Sequence, residues 1–275
     1  MVDVEITSYD GIVLHCAYTT VKPDKPWIAL IIPFGMKLQM TESFFEFFEP
    51  QYNVVAWESR SILEASDRTV AEGEFELANH IADLHSVLTS LPAKTFHLVG
   101  YCSGAGVALA ATKQYPELVD KLILAHGEYA MLHYKECTSQ FAAEIDSLLS
   151  LAAKDEDHLQ LVFKKIQGQR MDNISNRPEG LDLPFTELAY LRRHAANYLS
   201  YKKSDFESIA QLIPHSTFIM TGDLDVQANA ASSRRIHELM KNSEIYIDSN
   251  ADHYEILRED SNSMISIWNY LQRAS

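Results

Sequence analysis

The sequence predicts an α/β fold, a doubly wound and mostly parallel sheet with a helical cap inserted into it. Short, continuously apolar runs recur along the 275-residue chain, as they do in strands buried on both faces. Segments with helical spacing lie between these runs, and such alternation implies parallel strands covered by helices on both sides. One stretch, 129–210, departs from the alternation and carries helical patterns alone.

In chain order, "VDVEITSY" and "IVLHCAYTT" flank Asp10-Gly11 and read as a hairpin. The buried strands follow as "WIALIIP" (27–33), "NVVAWES" (53–59), "TFHLVGY" (95–101), "KLILAHG" (121–127) and "STFIMTG" (216–222), with "SEIYIDS" as the next strand. "TESFFEFFEP" predicts a helix opened by a capping-box threonine, Thr41. "FELANHIADLHSVLTSL" and "ASSRRIHELMKN" (231–242) have apolar residues at helical spacing. "QFAAEIDSLLSLAAK" and "ELAYLRRHAANYLSYKK" fill the insertion. The expected division is a core of 1–128 and 211–275 with a cap of 129–210. The cap would sit above the carboxyl ends of the strands, where ligands bind in such sheets.

Bulk properties narrow the function. A formal net charge of −15 opposes nucleic acid or an anionic membrane as the main partner. No apolar run follows the first Met, and none approaches the roughly 20 residues needed to span a bilayer. Three cysteines without a CxxC pair suggest neither a disulfide framework nor a zinc site, so a reducing cytoplasm is the expected location. The eleven histidines show no metal-binding spacing, and no metal is expected.

The chemistry concentrates in "LVGYCSGAGVALA", residues 98–110, a strand that turns abruptly into a helix. A nucleophile perched on such a turn needs small residues two positions before and two after it, because strand and helix pass closely there. Around Cys102 those positions are Gly100 and Gly104; around Ser103 they are Tyr101 and Ala105. The register therefore selects Cys102. A buried cysteine taken alone is an inert small hydrophobe; the frame around it is what speaks for chemistry. The backbone N–H of Ser103, in the first turn of the helix, is placed to donate to an oxyanion. A second donor is expected from Phe34, Gly35 or Met36 in "PFGMKLQM", with Gly35 preferred. An acid is offered by Asp223 or Asp225 in "TGDLDVQAN", and a base by His253 in "NADHYEI". His126 reads as a wall of the pocket; Glu128 and Asp252 read as solvated or local capping groups. The glycines here do not follow G-x-G-x-x-G, so no dinucleotide cofactor is implied.

With "GYCSG", "GDLD" and "DH" in this order, the chain resembles the α/β-hydrolase superfamily over nearly its whole length, in its Cys-nucleophile branch. The helical cap and the Cys-Asp-His order resemble stand-alone aminoacyl and acyl transferases of nonribosomal peptide pathways, of the coronamic acid aminoacyltransferase type. The resemblance implies a triad of Cys102, Asp225 and His253, since the acid of this superfamily stands three residues beyond a glycine, here Gly222; Asp223 is the alternative. The chain departs from the superfamily where "PFGMK" replaces the usual His-Gly, so oxyanion details do not carry over. The implied activity moves an acyl or aminoacyl group between phosphopantetheine thiols of carrier proteins through a covalent Cys102 thioester. The arm belongs to the partner, and the protein would need no cofactor of its own.

A thiol suits such a relay because one thioester is exchanged for another of similar free energy. A neighbouring histidine and a helix N-terminus both favour the thiolate form of a cysteine. The cap adds a weaker indication. Residues 158–204 hold eight basic side chains (Lys164, Lys165, Arg170, Arg177, Arg192, Arg193, Lys202, Lys203) against four acidic ones (Asp172, Glu179, Asp182, Glu187). Such a face could dock an acidic carrier protein or simply be a solvated helix surface. A hydrolase of thioesters, esters or lactones using the same triad, and a non-catalytic binding protein on the same fold, are the competing expectations.

Overall fold

The structure, a computed structural model, describes residues 1–66, 68–168 and 178–273. A hairpin of β1 (Val2–Thr7) and β2 (Val13–Tyr18) opens the chain. Its turn closes through Ser8 and Ile12, with Gly11 at φ 88°. β3 (Trp27–Ile31), α1 (Glu42–Phe48), β4 (Asn53–Trp57), α2 (Leu77–Thr89), β5 (Phe96–Tyr101), α3 (Ser103–Gln114) and β6 (Val119–Ala125) then alternate. Four helices follow without an intervening strand among the described residues: α4 (Gln140–Ala152), α5 (Glu156–Gly168), α6 (Leu188–Tyr201) and α7 (Phe206–Ala210). β7 (Thr217–Gly222), α8 (Ala230–Leu239), β8 (Ser243–Asp248) and α9 (Asn262–Leu271) complete the chain.

The eight strands form one sheet in the order β1-β2-β4-β3-β5-β6-β7-β8. β1 and β2 pair antiparallel, as do β2 and β4; every other pairing is parallel. Register brings the carboxyl ends of the central strands level. Gly100 lies between Ile31 and Leu124, Ala125 pairs with Met220, and Gly222 pairs with Asp248. The loops after β3, β5, β6, β7 and β8 therefore leave the sheet along one edge.

β3, β4, β5 and β7 are buried at every position, which is why they read as continuous apolar runs rather than alternating ones. One core packs α2, α3, α7 and α8 on one face of the sheet, and a second packs α1 and α9 on the other. α4, α5 and α6 share a third cluster built on Leu149, Leu159, Val162 and Leu191. That helical unit is narrower than 129–210, because Tyr129, Met131, Tyr201, Phe206 and Ala210 belong to the main core. No helix among the described residues is long and apolar enough to cross a membrane.

Two local features depart from the sequence pattern. Thr41 does not cap α1 through its side chain; it ends a 3-10 turn, and its hydroxyl donates to the Leu38 carbonyl at 2.6 Å. The second is a buried charge cluster joining distant segments. Arg60 donates to Asp83 through Nε (2.7 Å) and Nη2 (2.6 Å), and Nη1 donates to Asp10 at 2.8 Å. It ties the hairpin turn to α2.

Candidate active site

Cys102 joins β5 to α3 with φ 54° and ψ −122°, a backbone conformation that costs a non-glycine residue about 1–3 kcal/mol. Its neighbours hold it there. The Cys102 N–H donates to Ala125 at 3.0 Å, and its carbonyl accepts from Ala105 N–H (3.0 Å) and Glu128 N–H (3.1 Å). A Cβ on Gly104 would lie 2.1 Å from the Ile31 carbonyl oxygen, and one on Gly100 would lie 2.6 Å from the Ala105 Cα. Strand and helix can cross this closely only because both positions lack a side chain. Ser103 is the first residue of α3, so its N–H is among the four that a helix leaves without an intrahelical partner.

Beyond the elbow lies a cavity of about 180 Å³ between the strand ends and the helical unit. Cys102, half-buried, opens onto it, with Phe141, Ile145, Leu149, Leu181 and Phe185 supplying apolar walls. His253 and Ser103 line it as well.

Asp225 and His253 meet although 28 residues separate them. His253 Nδ1 lies 2.8 Å from Asp225 Oδ2, and the Cys102 sulfur is near enough to favour the charged ring. The other carboxylate oxygen, Oδ1, accepts from the backbone N–H groups of Gln227 (2.9 Å) and Ala228 (2.8 Å), which fixes the carboxylate plane. Tyr101 donates to the His253 carbonyl at 2.9 Å and tilts its ring against the imidazole at 5.4 Å. Of the two acids offered after β7, Asp225 is buried against the histidine, whereas Asp223 is exposed and its backbone N–H bonds Asp248.

Burial works against a charge on His253, but the Asp225 carboxylate and the Cys102 sulfur outweigh it and hold the imidazole well above the usual histidine pKa. Burial likewise opposes ionisation of Asp225, while His253 and His126 hold its carboxyl far below the usual carboxylate range. Burial acts on both of the remaining thiols. Burial pushes Cys16 up to about 12, and burial with Glu136 nearby raises Cys137. An imidazole held between a carboxylate and a sulfur can take a thiol proton and later return it to a leaving group.

The three backbone N–H groups considered for the oxyanion differ in what they already bond. Phe34 N–H is occupied by Ser103 Oγ at 3.1 Å, and Met36 N–H by the Pro33 carbonyl at 3.1 Å. Gly35 N–H makes the longest of the three contacts, 3.4 Å to Ser59 Oγ, in a loop where Gly35 has φ 77°. It must leave Ser59 to serve an oxyanion.

Several residues stand elsewhere than the sequence pattern suggests. His126 is not a wall of the cavity. It is wholly buried at φ 49°, with Nδ1 3.1 Å from the same Asp225 Oδ2 that His253 uses. Its loop bends back under the strand ends, which no local pattern announces. Glu128 does cap the Ala130 N–H, at 2.6 Å, but it also lines the cavity beside Cys102, where burial pushes its carboxyl up to about 7. Asp252 caps the Tyr254 N–H at 3.0 Å, as a local group would. Arg193 cannot belong to a docking face, because it is buried and donates to the carbonyls of Ser66 and Arg68. Arg192 pairs with Glu156 and Lys202 with Asp146, while Lys164, Lys165 and Lys203 are exposed. Arg170, Asp172 and Arg177 lie outside the described residues.

His126, Asp225 and His253 are also the cluster among the described residues whose donor atoms are spaced for a metal, within 4.8 Å of one another. Holding both Nδ1–H groups on Asp225 and binding an ion through those nitrogens are mutually exclusive.

Residues 41–259 match the family described as the alpha/beta hydrolase fold. The L-allo-isoleucyltransferase of Pseudomonas savastanoi pv. glycinea is 22% identical over 247 residues, covering 90% of this chain and 86% of that protein. Among solved structures, the enol-lactonase from Burkholderia xenovorans LB400 superposes with a TM-score of 0.75 at 14% identity, covering 98% of this chain and all of that one (100%). The bromoperoxidase from Bacillus anthracis gives a TM-score of 0.75 at 17% identity, covering 99% and 100%. At such identities the solved structures speak for the fold alone. Elbow, strand order and family match agree over most of the sequence, and the chain belongs to the alpha/beta hydrolase fold family.

Proposed function

We propose that this enzyme of the α/β-hydrolase superfamily is a Cys-dependent transferase that moves an acyl or aminoacyl group between carrier-protein phosphopantetheine thiols. The observation that carries the proposal is a sulfur, not an oxygen, on the elbow, sharing a cavity with an imidazole that Asp225 orients. The similarity to a protein named L-allo-isoleucyltransferase supports it.

The steps follow from the proton positions. The Cys102 sulfur attacks the carrier thioester carbonyl, and the oxyanion is met by the N–H groups of Ser103 and Gly35. The carbon–sulfur bond to the carrier arm breaks as His253 delivers its proton to the departing thiolate. A second carrier thiol then gives its proton to His253 and attacks the Cys102 thioester, restoring the free cysteine. Asp225 keeps the imidazole in one orientation and stabilises its charged form. The cavity limits the cargo. At about 180 Å³ it is slightly larger than an apolar cavity that admits benzene, at about 150 Å³, so it has room for a short branched chain.

The test is intact-mass spectrometry of the protein incubated with a loaded carrier. A Cys102 adduct that persists in water and disappears when a thiolated acceptor carrier is added is the expected result. Rapid loss of the adduct to water, with no mass gained by the acceptor, would make the protein a hydrolase instead.

A further inference from the structure

Glu128 plays no part in the proton relay, yet among the described residues it is the single carboxylate lining the cavity. Its backbone is tied to that of the nucleophile. The Glu128 N–H donates to the Cys102 carbonyl at 3.1 Å, and the Tyr201 hydroxyl donates both to the Glu128 carbonyl (2.6 Å) and to the Ser103 carbonyl (3.1 Å). One side-chain oxygen accepts from Ala130 N–H; the second has no hydrogen-bond partner among the described residues. No lysine or arginine is among the described residues that line the cavity. His194, which does, is held down to about 4 by burial and so is neutral near pH 7. The charge of His253 reaches Glu128, but the ring is hydrogen-bonded to Asp225 and not to Glu128.

A half-buried carboxylate that lines an apolar cavity with no cation hydrogen-bonded to it gains by pairing with a charge that a ligand brings. The ligand's charge must also lie near the sulfur, since Glu128 is bonded to the nucleophile's own peptide. An α-ammonium group meets both conditions, being one carbon away from the carbonyl that Cys102 attacks. We infer that Glu128 is a specificity-determining residue that receives the α-ammonium of the transferred group. The substrate class is then an aminoacyl thioester whose aliphatic side chain lies among Phe141, Ile145, Leu149 and Leu181. This rests on transfer through Cys102 as proposed above and adds the nature of the cargo.

Three pantetheine thioesters test it on the full chain: L-valyl, its desamino counterpart 3-methylbutanoyl, and N-acetyl-L-valyl. The initial rate of Cys102 loading is read by intact mass. The wild type is expected to load the L-valyl group at least about tenfold faster than either uncharged analogue, the range of a charge-assisted hydrogen bond. Glu128→Gln keeps an acceptor for Ala130 but loses the charge, and should bring that ratio close to one; Glu128→Asp should retain part of it. Comparable loading of all three by the wild type overturns the inference while leaving transfer intact, and so does a ratio unchanged in Glu128→Gln. Failure of the wild type to load any of them at Cys102 overturns transfer and the inference together. The N-acetyl comparison needs no variant, so the outcome does not depend on how either substitution folds.

Discussion

Two imidazoles lean on one carboxylate oxygen, and this sets the behaviour of the candidate site at the scale of single residues. Asp225 Oδ2 lies 2.8 Å from His253 and 3.1 Å from His126, while Oδ1 takes two backbone N–H groups. The carboxyl of Asp225 is depressed, so its stabilising effect is present above its unfolded pKa and fades as pH falls below about 4. The imidazole of His253 is raised, so its effect is complete below about pH 6.5 and fades as pH rises through its folded value. Asp225→Asn removes both, and thermal melts should show the gap between wild type and variant at its widest between about pH 4 and 6.5. A gap that instead grew from neutral to alkaline pH would contradict the charged pair. Loading of Cys102 should fall on the order of a hundredfold or more in the same variant. The place of Cys102 on the elbow was legible from spacing alone because the glycine frame is a steric rule. The choice between Asp225 and Asp223 rested on a family offset; in the structure it follows from how the loops after β7 and β8 approach. His126 and Glu128 were not legible as site residues, since their roles depend on a loop folding back onto strand ends far away in sequence.

At the scale of elements, the elbow depends on how closely α3 passes the neighbouring strands. Gly104→Ala would set a Cβ 2.1 Å from the Ile31 carbonyl oxygen, so the helix must shift away from the sheet. Overpacking of this kind costs about 1–3 kcal/mol. The expected outcome is a lower melting temperature with a loss of loading larger than the stability change alone explains. A variant with full loading and unchanged melting would show that α3 does not fix the sulfur. The strands were readable because double-faced burial leaves an uninterrupted apolar signature. α5 and α9 were not singled out, for physical reasons: α5 buries only Leu159, Val162 and Ile166 along a mostly polar segment, and α9 mixes β-branched and aromatic residues that suit either state. The capping box at Thr41 misled because a 3-10 turn consumes the hydroxyl first.

At the scale of the whole molecule, the site exists only when five strand ends lie level and the helical unit closes the cavity over them. The buried Arg60–Asp83 pair, which holds the hairpin to α2, shows how such long-range order can rest on residues that no periodicity marks. Alternation of strand and helix was enough to indicate the sheet. The extent of the helical unit was not, because Tyr201 and Phe206 return to the main core. The reactivity of Cys102 should therefore be a property of the folded chain and vanish with it. Iodoacetamide alkylation near neutral pH, mapped by mass spectrometry in native protein and in urea, measures this directly. In native protein Cys102 should be modified at least about tenfold faster than Cys16 or Cys137, because burial raises both of those thiols whereas Cys102 opens onto the cavity. In urea the three should converge. Equal labelling of the three cysteines in the native protein would contradict the account.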